Sequence, residues 1–156
     1  LTAFAAPQEL HDLAYRYALA VDTRDPAMLL SIFTRDGIIR GHGENPIEFT
    51  GAEGLSRMVA QVDASFDQTM HNVFNQTFER ATHGTVSGLT TCIASHILKG
   101  EGCNLLDFAM RYHNRYAQEA GCWKFAERRL EVVWVETRPV QKFTAAMMES
   151  DLREFR

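Results

Sequence analysis

The chain has 156 residues, 46% of them hydrophobic and 23% charged, an ordinary globular composition and enough length to bury a core. Its formal net charge of -4 and pI near 5.9 argue against nucleic acid as a partner, because phosphate binding needs a basic surface. No apolar run approaches the roughly 20 residues needed to cross a bilayer, and polar residues break residues 1–20 where a signal peptide would be continuous, so a cytoplasmic protein without a membrane partner is expected.

Along the chain, Pro7 suits a helix start, and Leu10, Leu13, Ala14, Tyr17, Ala18 and Val21 then recur at helical spacing, with Asp22 closing the helix. Asp25-Pro26 ends that helix and caps a second, Ala27 to Phe33, which Asp36-Gly37 stops. Residues 38–50, with Gly41, Gly43 and Pro46, suggest a turn or an irregular hairpin. A third helix is expected over Gly51 to Phe66. Four strand-like segments follow: Met70–Arg80, Val86–Leu98, Asn104–Gln118 and Trp123–Thr137. Turn-like stretches at Thr82-His83-Gly84, Lys99-Gly100-Glu101-Gly102 and Glu119-Ala120-Gly121 separate them. A last helix fits Thr144 to Phe155. Helices followed by an antiparallel meander predict one α+β domain over residues 1–156, a strongly bent sheet closed into a cone by helices, with a pocket at one end.

Three ionisable residues stand where such a cone would point them inward. His71 shares the strand face Thr69-His71-Val73-Asn75, and His96 shares its face with the small residues Cys92 and Ala94. Asp25 is the better helix cap, which leaves Asp22 for the cavity. A carboxylate orienting an imidazole whose ordinary pKa is near ~6.5 can accept and return a proton close to neutrality. Each residue also has a plain structural role open to it: a core histidine held by backbone, a histidine at a strand end, an acid at a helix end. Tyr15 lies on the helical face of Asp22 through Leu19, Tyr112 shares a strand face with Met110 and Asn114, and Asn75 follows His71 on its face. His42 is placed near the pocket mouth. These residues are the candidate substrate contacts, with core packing or solvation as their alternative. His11, His83 and His113 read as surface, Glu127, Arg128 and Arg129 as an exposed strand edge or subunit contact, and Trp123, Phe125 and Trp134 as core.

Two histidines and a carboxylate also suggest a facial triad for iron, but no short HxD or HxE pair is present, and no metal is expected. The absence of G-x-G-x-x-G, P-loop and nucleophile-elbow patterns leaves nucleotide cofactors and serine nucleophiles without support. Three cysteines, Cys92, Cys103 and Cys122, without a CxxC pair fit reduced thiols.

Four segments in order, Tyr17 to Asp25, Gln68 to His71, Gly88 to His96, and Gly121 to Ala126 followed by Trp134, resemble the SnoaL-like, or nuclear-transport-factor-like, superfamily, and within it scytalone dehydratase most. The resemblance spans most of residues 8–137. It implies the cone fold, catalytic roles for Asp22, His71 and His96, a C-terminal lid, and a homotrimer. Hexachlorocyclohexane dehydrochlorinase, a relative, implies an aspartate–histidine dyad at Asp22 and His71. The chain departs from the dehydratase at its catalytic tyrosines, one replaced by Val21 and the other falling near Gly41 or His42. It departs again at the serine and asparagine contacts, which fall at Met110 and Tyr112. Scytalone is therefore disfavoured as the substrate. The expectation is a cofactor-independent lyase that removes a proton and expels water, halide or a small aldehyde fragment from a small apolar cyclic or aromatic molecule. A ketosteroid-type isomerase and a non-catalytic small subunit of a ring-hydroxylating dioxygenase are the alternatives. A strand apolar on both sides, Leu130 to Val135, adds a reason to expect an oligomer.

Overall fold

The computed structural model describes residues 6–44, 46–80, 85–100 and 103–141. Helices α1 (Gln8–Asp22), α2 (Pro26–Ser31) and α3 (Gly51–Ser65) accompany strands β1 (Phe33–Gly41), β2 (Glu48–Thr50), β3 (Phe66–Arg80), β4 (Val86–Leu98), β5 (Asn104–Glu119) and β6 (Cys122–Pro139). The fold is α+β, as the residue pattern predicts. The apolar stripe of α1 is buried from Leu10 to Val21. The Asp25 side chain accepts a hydrogen bond from the Met28 amide at 2.9 Å and caps α2, with Pro26 in its first turn.

One six-stranded sheet has the order β2-β1-β6-β5-β4-β3 and is not closed. Its neighbours pair antiparallel except for β1 with β6, which run parallel. The helices cover the concave side. Leu10, Tyr17 and Val21 of α1, Leu29 of α2 and Leu55 and Val59 of α3 pack on Phe33, Ile39, Val86, Tyr116 and Phe125 of the sheet. Burial of that apolar surface, at roughly 25 cal/mol per Å², holds the helices against the sheet.

Several boundaries differ from the expectation, for local reasons. The second helix stops at Ser31, and β1 runs straight through Asp36-Gly37. The β1–β6 register breaks between Phe33 and Ile38. Gly37 sits in that break because a Cβ there would stand 2.9 Å from the Phe33 side chain. The irregular hairpin expected over residues 38–50 is the pairing of β1 with the short β2. At the far end of the sheet, Ala120 (φ 52°) and Gly121 (φ 80°) are both left-handed, the backbone a two-residue hairpin requires. The helix expected over 144–155 and the turn at 82–84 lie outside the described residues. Among the described residues, no helix is long and apolar enough to cross a membrane.

Strand β6 carries two extra residues, and both change what faces the core. Tyr116 pairs with Phe125 and Arg115 with Glu127, so Ala126 is a bulge; Met110 pairs with Val132 and Ala109 with Trp134, so Val133 is another. An inserted residue inverts the in–out alternation beyond it. Arg128, expected at an exposed edge, is thereby turned inward and is 0% exposed. Trp134, expected in the core, stands 61% exposed on the outer face. Phe125 is buried as expected, and Trp123 is half-buried.

Candidate active site

Strand β3 is a sheet edge, so its outward backbone groups need partners from elsewhere. The end of α1 supplies one: Asp22 Oδ2 accepts the His71 backbone N–H at 2.9 Å. The other carboxylate oxygen, Oδ1, lies 2.6 Å from His71 Nδ1 and accepts the Thr69 hydroxyl at 2.8 Å. A carboxylate can only accept, so His71 Nδ1 is the donor of this contact, and Nε2 is the ring nitrogen left for the cavity that His71 lines. Burial pushes the Asp22 carboxyl up, but the hydrogen bonds and charge of His71, with the Thr69 hydroxyl, outweigh it and hold the group below the usual carboxylate range.

His96 lies across from this pair, with ring centroids 5.5 Å apart and near perpendicular. It is 7% exposed, and its Nδ1 is 2.9 Å from the Ala94 carbonyl, which can only accept. Burial, and then repulsion from the His71 imidazole whenever that ring is protonated, push its pKa down to about 4 against the pull of the Ala94 carbonyl, the Asp22 carboxylate and the Leu106 backbone. At neutral pH the ring is uncharged, with its proton on Nδ1, and it serves as a hydrogen-bonding wall rather than a store of protons.

The pocket between them is a cavity of about 380 Å³. Its walls are Tyr17 and Val21 of α1, Met58 and Val62 of α3, Phe66 and His71 of β3, His96 of β4, Phe108, Met110 and Tyr112 of β5, and Leu130 and Val132 of β6. The lining is mostly apolar and aromatic, with His71, His96, Arg40, Gln61 and Ser65 as its polar members and the Tyr112 hydroxyl donating to Met110 Sδ at 3.4 Å. Such a space suits a small apolar ring and weakens competition from water.

Behind Tyr17 and Tyr112 lies the fully buried Arg128. Its guanidinium carbon is 4.1 Å from the Tyr17 ring centroid, 3.9 Å from Tyr112 and 4.9 Å from Phe125. None of its three nitrogens has a hydrogen-bond partner among the described residues. Three aromatic rings attract the cation, yet they do not replace the water a guanidinium loses on burial. Next to it, burial pushes the Cys92 thiol up to about 11, so Cys92 is packing and not a nucleophile.

The structure thus brings Asp22, His71, His96, Met110 and Tyr112 together, as the sequence reading expects. Three expected substrate contacts are not at the pocket. Tyr15 is 51% exposed, as is Leu19 one turn on; this flank of α1 becomes covered only at Asp22, where it meets β3. His42 is on the outer side, stacked on His113 with centroids 6.4 Å apart. Asn75 sits in the β3 irregularity between Val73 and Gln76, exposed, its amide bonded to Thr91 Oγ1. Tyr17 and Arg128 were missed as site residues. The α1 stripe already turned Tyr17 toward the sheet, but nothing in the pattern marks the Ala126 bulge that turns Arg128 in. Among the described residues, no three His, Cys, Asp or Glu side chains converge to hold a metal ion.

No curated protein matches the chain by sequence. Among solved structures it is similar to a type 2 hexachlorocyclohexane dehydrochlorinase, with 23% identity and a TM-score of 0.77 over 88% of this chain and 91% of that one. It is also similar to the type 3 dehydrochlorinase of Novosphingobium barchaimii LL02, with 22% identity and a TM-score of 0.76 over 88% and 92%. A protein of Novosphingobium aromaticivorans assigned as a scytalone dehydratase shares 18% identity and a TM-score of 0.72 over 88% and 89%. At such identities the likeness speaks for the fold. The sequence profile of the SnoaL-like domain matches residues 3–129, most of the chain, and with the bent sheet and its pocket in view, this protein belongs to the SnoaL-like family.

Proposed function

We propose that the protein is a cofactor-independent lyase that removes a proton from a small apolar cyclic or aromatic molecule and expels a leaving group from it. The observation that carries this reading is the His71 Nδ1–Asp22 Oδ1 contact of 2.6 Å at the wall of an apolar cavity. His71 Nε2 takes the proton, and Asp22 holds the ring and stabilises the imidazolium that forms. The C–H electron pair becomes the new double bond as the leaving group departs with its bonding pair. Negative charge then grows toward the Tyr17–Arg128–Tyr112 wall, where the buried guanidinium's field favours it. His96, uncharged, orients the substrate and avoids a second cation beside the His71 imidazolium. The names of the similar dehydrochlorinases and dehydratase support the reaction class, with water, halide or a small aldehyde fragment as the leaving group.

The test is a panel of hexachlorocyclohexane isomers and hydroxylated cyclic ketones, followed by chloride release and product mass. Loss of HCl or water that disappears in Asp22→Asn and His71→Ala variants with unchanged circular dichroism supports the lyase. A product of unchanged mass makes the protein an isomerase, and turnover that survives both substitutions sinks the dyad. The reading includes a homo-oligomer, a trimer by resemblance, packed on the outer sheet face where Trp134 is 61% exposed. A Trp134→Glu variant should lower the mass seen by light scattering; a wild-type monomer rejects it.

A further inference from the structure

Arg24, on the loop between α1 and α2, has φ 57°, a left-handed backbone that side chains other than glycine rarely adopt. That conformation folds its guanidinium back over the end of α1. There Nη1 donates to the carbonyl of Val21 at 2.7 Å and lies 3.4 Å from that of Asp22. The same nitrogen donates to Thr69 Oγ1 at 2.7 Å, and Nη2 reaches the Phe66 carbonyl at 3.4 Å. Clamping helix to strand does not require the Thr69 contact, because the Phe66 carbonyl already serves.

The Thr69 hydroxyl has one proton and can accept from elsewhere, whereas a guanidinium has donors only. When Arg24 occupies the hydroxyl as acceptor, the hydroxyl proton is left to point at Asp22 Oδ1, 2.8 Å away. That oxygen is the one facing His71 Nδ1. We infer that Arg24 is a positioning residue of the dyad, setting the direction of a hydrogen-bond chain Arg24–Thr69–Asp22–His71 so that Asp22 stays an acceptor when His71 takes a proton. The inference rests on the proposed role of Asp22 and His71 and adds to it a residue that does not line the pocket. The ionisable groups facing this chain include His71 of β3, His96 and Cys92 of β4, Tyr17 of α1, and Asp63 of α3, whose Oδ1 is 3.6 Å from Arg24 Nε.

The experiment needs no substrate. The Asp22 carboxyl is titrated by carbon-13 NMR, and the His71 Nδ1 proton is followed by nitrogen-15 NMR, in wild type, Arg24→Met, Thr69→Val, Thr69→Ser and the Arg24→Met/Thr69→Val double variant. The expected result is an upward-moved Asp22 midpoint in Arg24→Met and in Thr69→Val, rescue in Thr69→Ser, and no further movement in the double variant. Should Arg24→Met fail to fold, Arg24→Lys, with a cation but a single donor centre, is expected to give a smaller movement of the same sign. Arg24 variants that leave both signals unchanged, or that add fully to Thr69→Val, overturn the inference and leave Arg24 a clamp. With hexachlorocyclohexane as probe, kcat is expected to fall about 10–100-fold at near-constant KM, the usual worth of a hydrogen bond to a charged group. A wild type inert toward that probe bears on the lyase reading alone, since the titrations decide the chain of hydrogen bonds without turnover.

Discussion

On the β3 side of the pocket both oxygens of Asp22 accept hydrogen bonds, from Thr69 and from the backbone and ring of His71. On the β6 side none of the Arg128 nitrogens has a partner among the described residues. The first wall has its hydrogen bonds made, and in the proposed reaction it only receives a proton. The second holds a positive charge that meets ring faces and no hydrogen-bond acceptor among the described residues, and a buried cation held between ring faces is a costly feature to keep for stability alone. The contrast teaches that the two sides of the pocket differ in kind, and under the proposed elimination it puts the base at β3 and a buried positive charge behind the Tyr17 and Tyr112 rings.

The largest effect should come from the first wall. His71→Ala removes the base, and Asp22→Asn lets an amide reverse the ring's tautomer while preserving shape; each should lower kcat about 10²–10⁴-fold. Steady-state kinetics on the accepted substrate measures it. Equal losses in the two variants, and no further loss in the double variant, would mark a unit acting as one.

The second wall should behave in the opposite sense on stability. Arg128→Met keeps the volume and removes a buried charge that has no hydrogen-bonded partner among the described residues. Turnover is expected to fall about 10²–10³-fold, the typical cost of losing a preorganised charge aimed at a developing anion. Stability to urea is expected to hold or rise by about 1–3 kcal/mol. A destabilised variant with full turnover would make Arg128 a packing residue and erase the contrast between the walls.

How far the sequence carried this picture depended on periodicity. Asp22, His71 and His96 were legible because α1 keeps an unbroken helical stripe and because β4 alternates without a register shift from Cys92 to His96. Arg128 was not, since counting by two from Phe125 puts it outward until the extra residue at Ala126 is known. Trp134 failed at the second extra residue, since counting by two from Leu130 and Val132 puts it inward until the insertion at Val133 is known. Tyr15 failed differently: its helical angle matches Asp22, but burial depends on where β3 begins to cover that flank, which is a tertiary fact. β1 was hidden because Asp36-Gly37, a good stop signal in isolation, sits in a break of the parallel register.

The smallest effect separates His96 from the dyad and is read from stability. His96 is neutral in the folded protein down to about 4, whereas an unfolded histidine protonates near ~6.5. Between those values the unfolded chain binds the proton and the folded chain does not, so stability falls as pH drops through this window and levels off from this group below it. At 1.36 kcal/mol per pH unit the wild type should lose about 3 kcal/mol from His96 on going from pH 7 to 4. Asp22 has the reverse cause but also weakens the fold in acid: its carboxyl is held low, so its contribution is present above the unfolded carboxylate value, about 3.9, and is lost as pH falls through the folded one. The windows barely overlap. Urea titrations at pH 7, 5 and 4 should therefore show a shallower loss in His96→Leu than in wild type, with Asp22→Asn following wild type until the pH is lower still. A His96→Leu curve parallel to wild type from pH 7 to 4 would mean the ring takes up its proton without penalty. His96 would then be available as an acid, and the β3 side would hold two proton carriers instead of one.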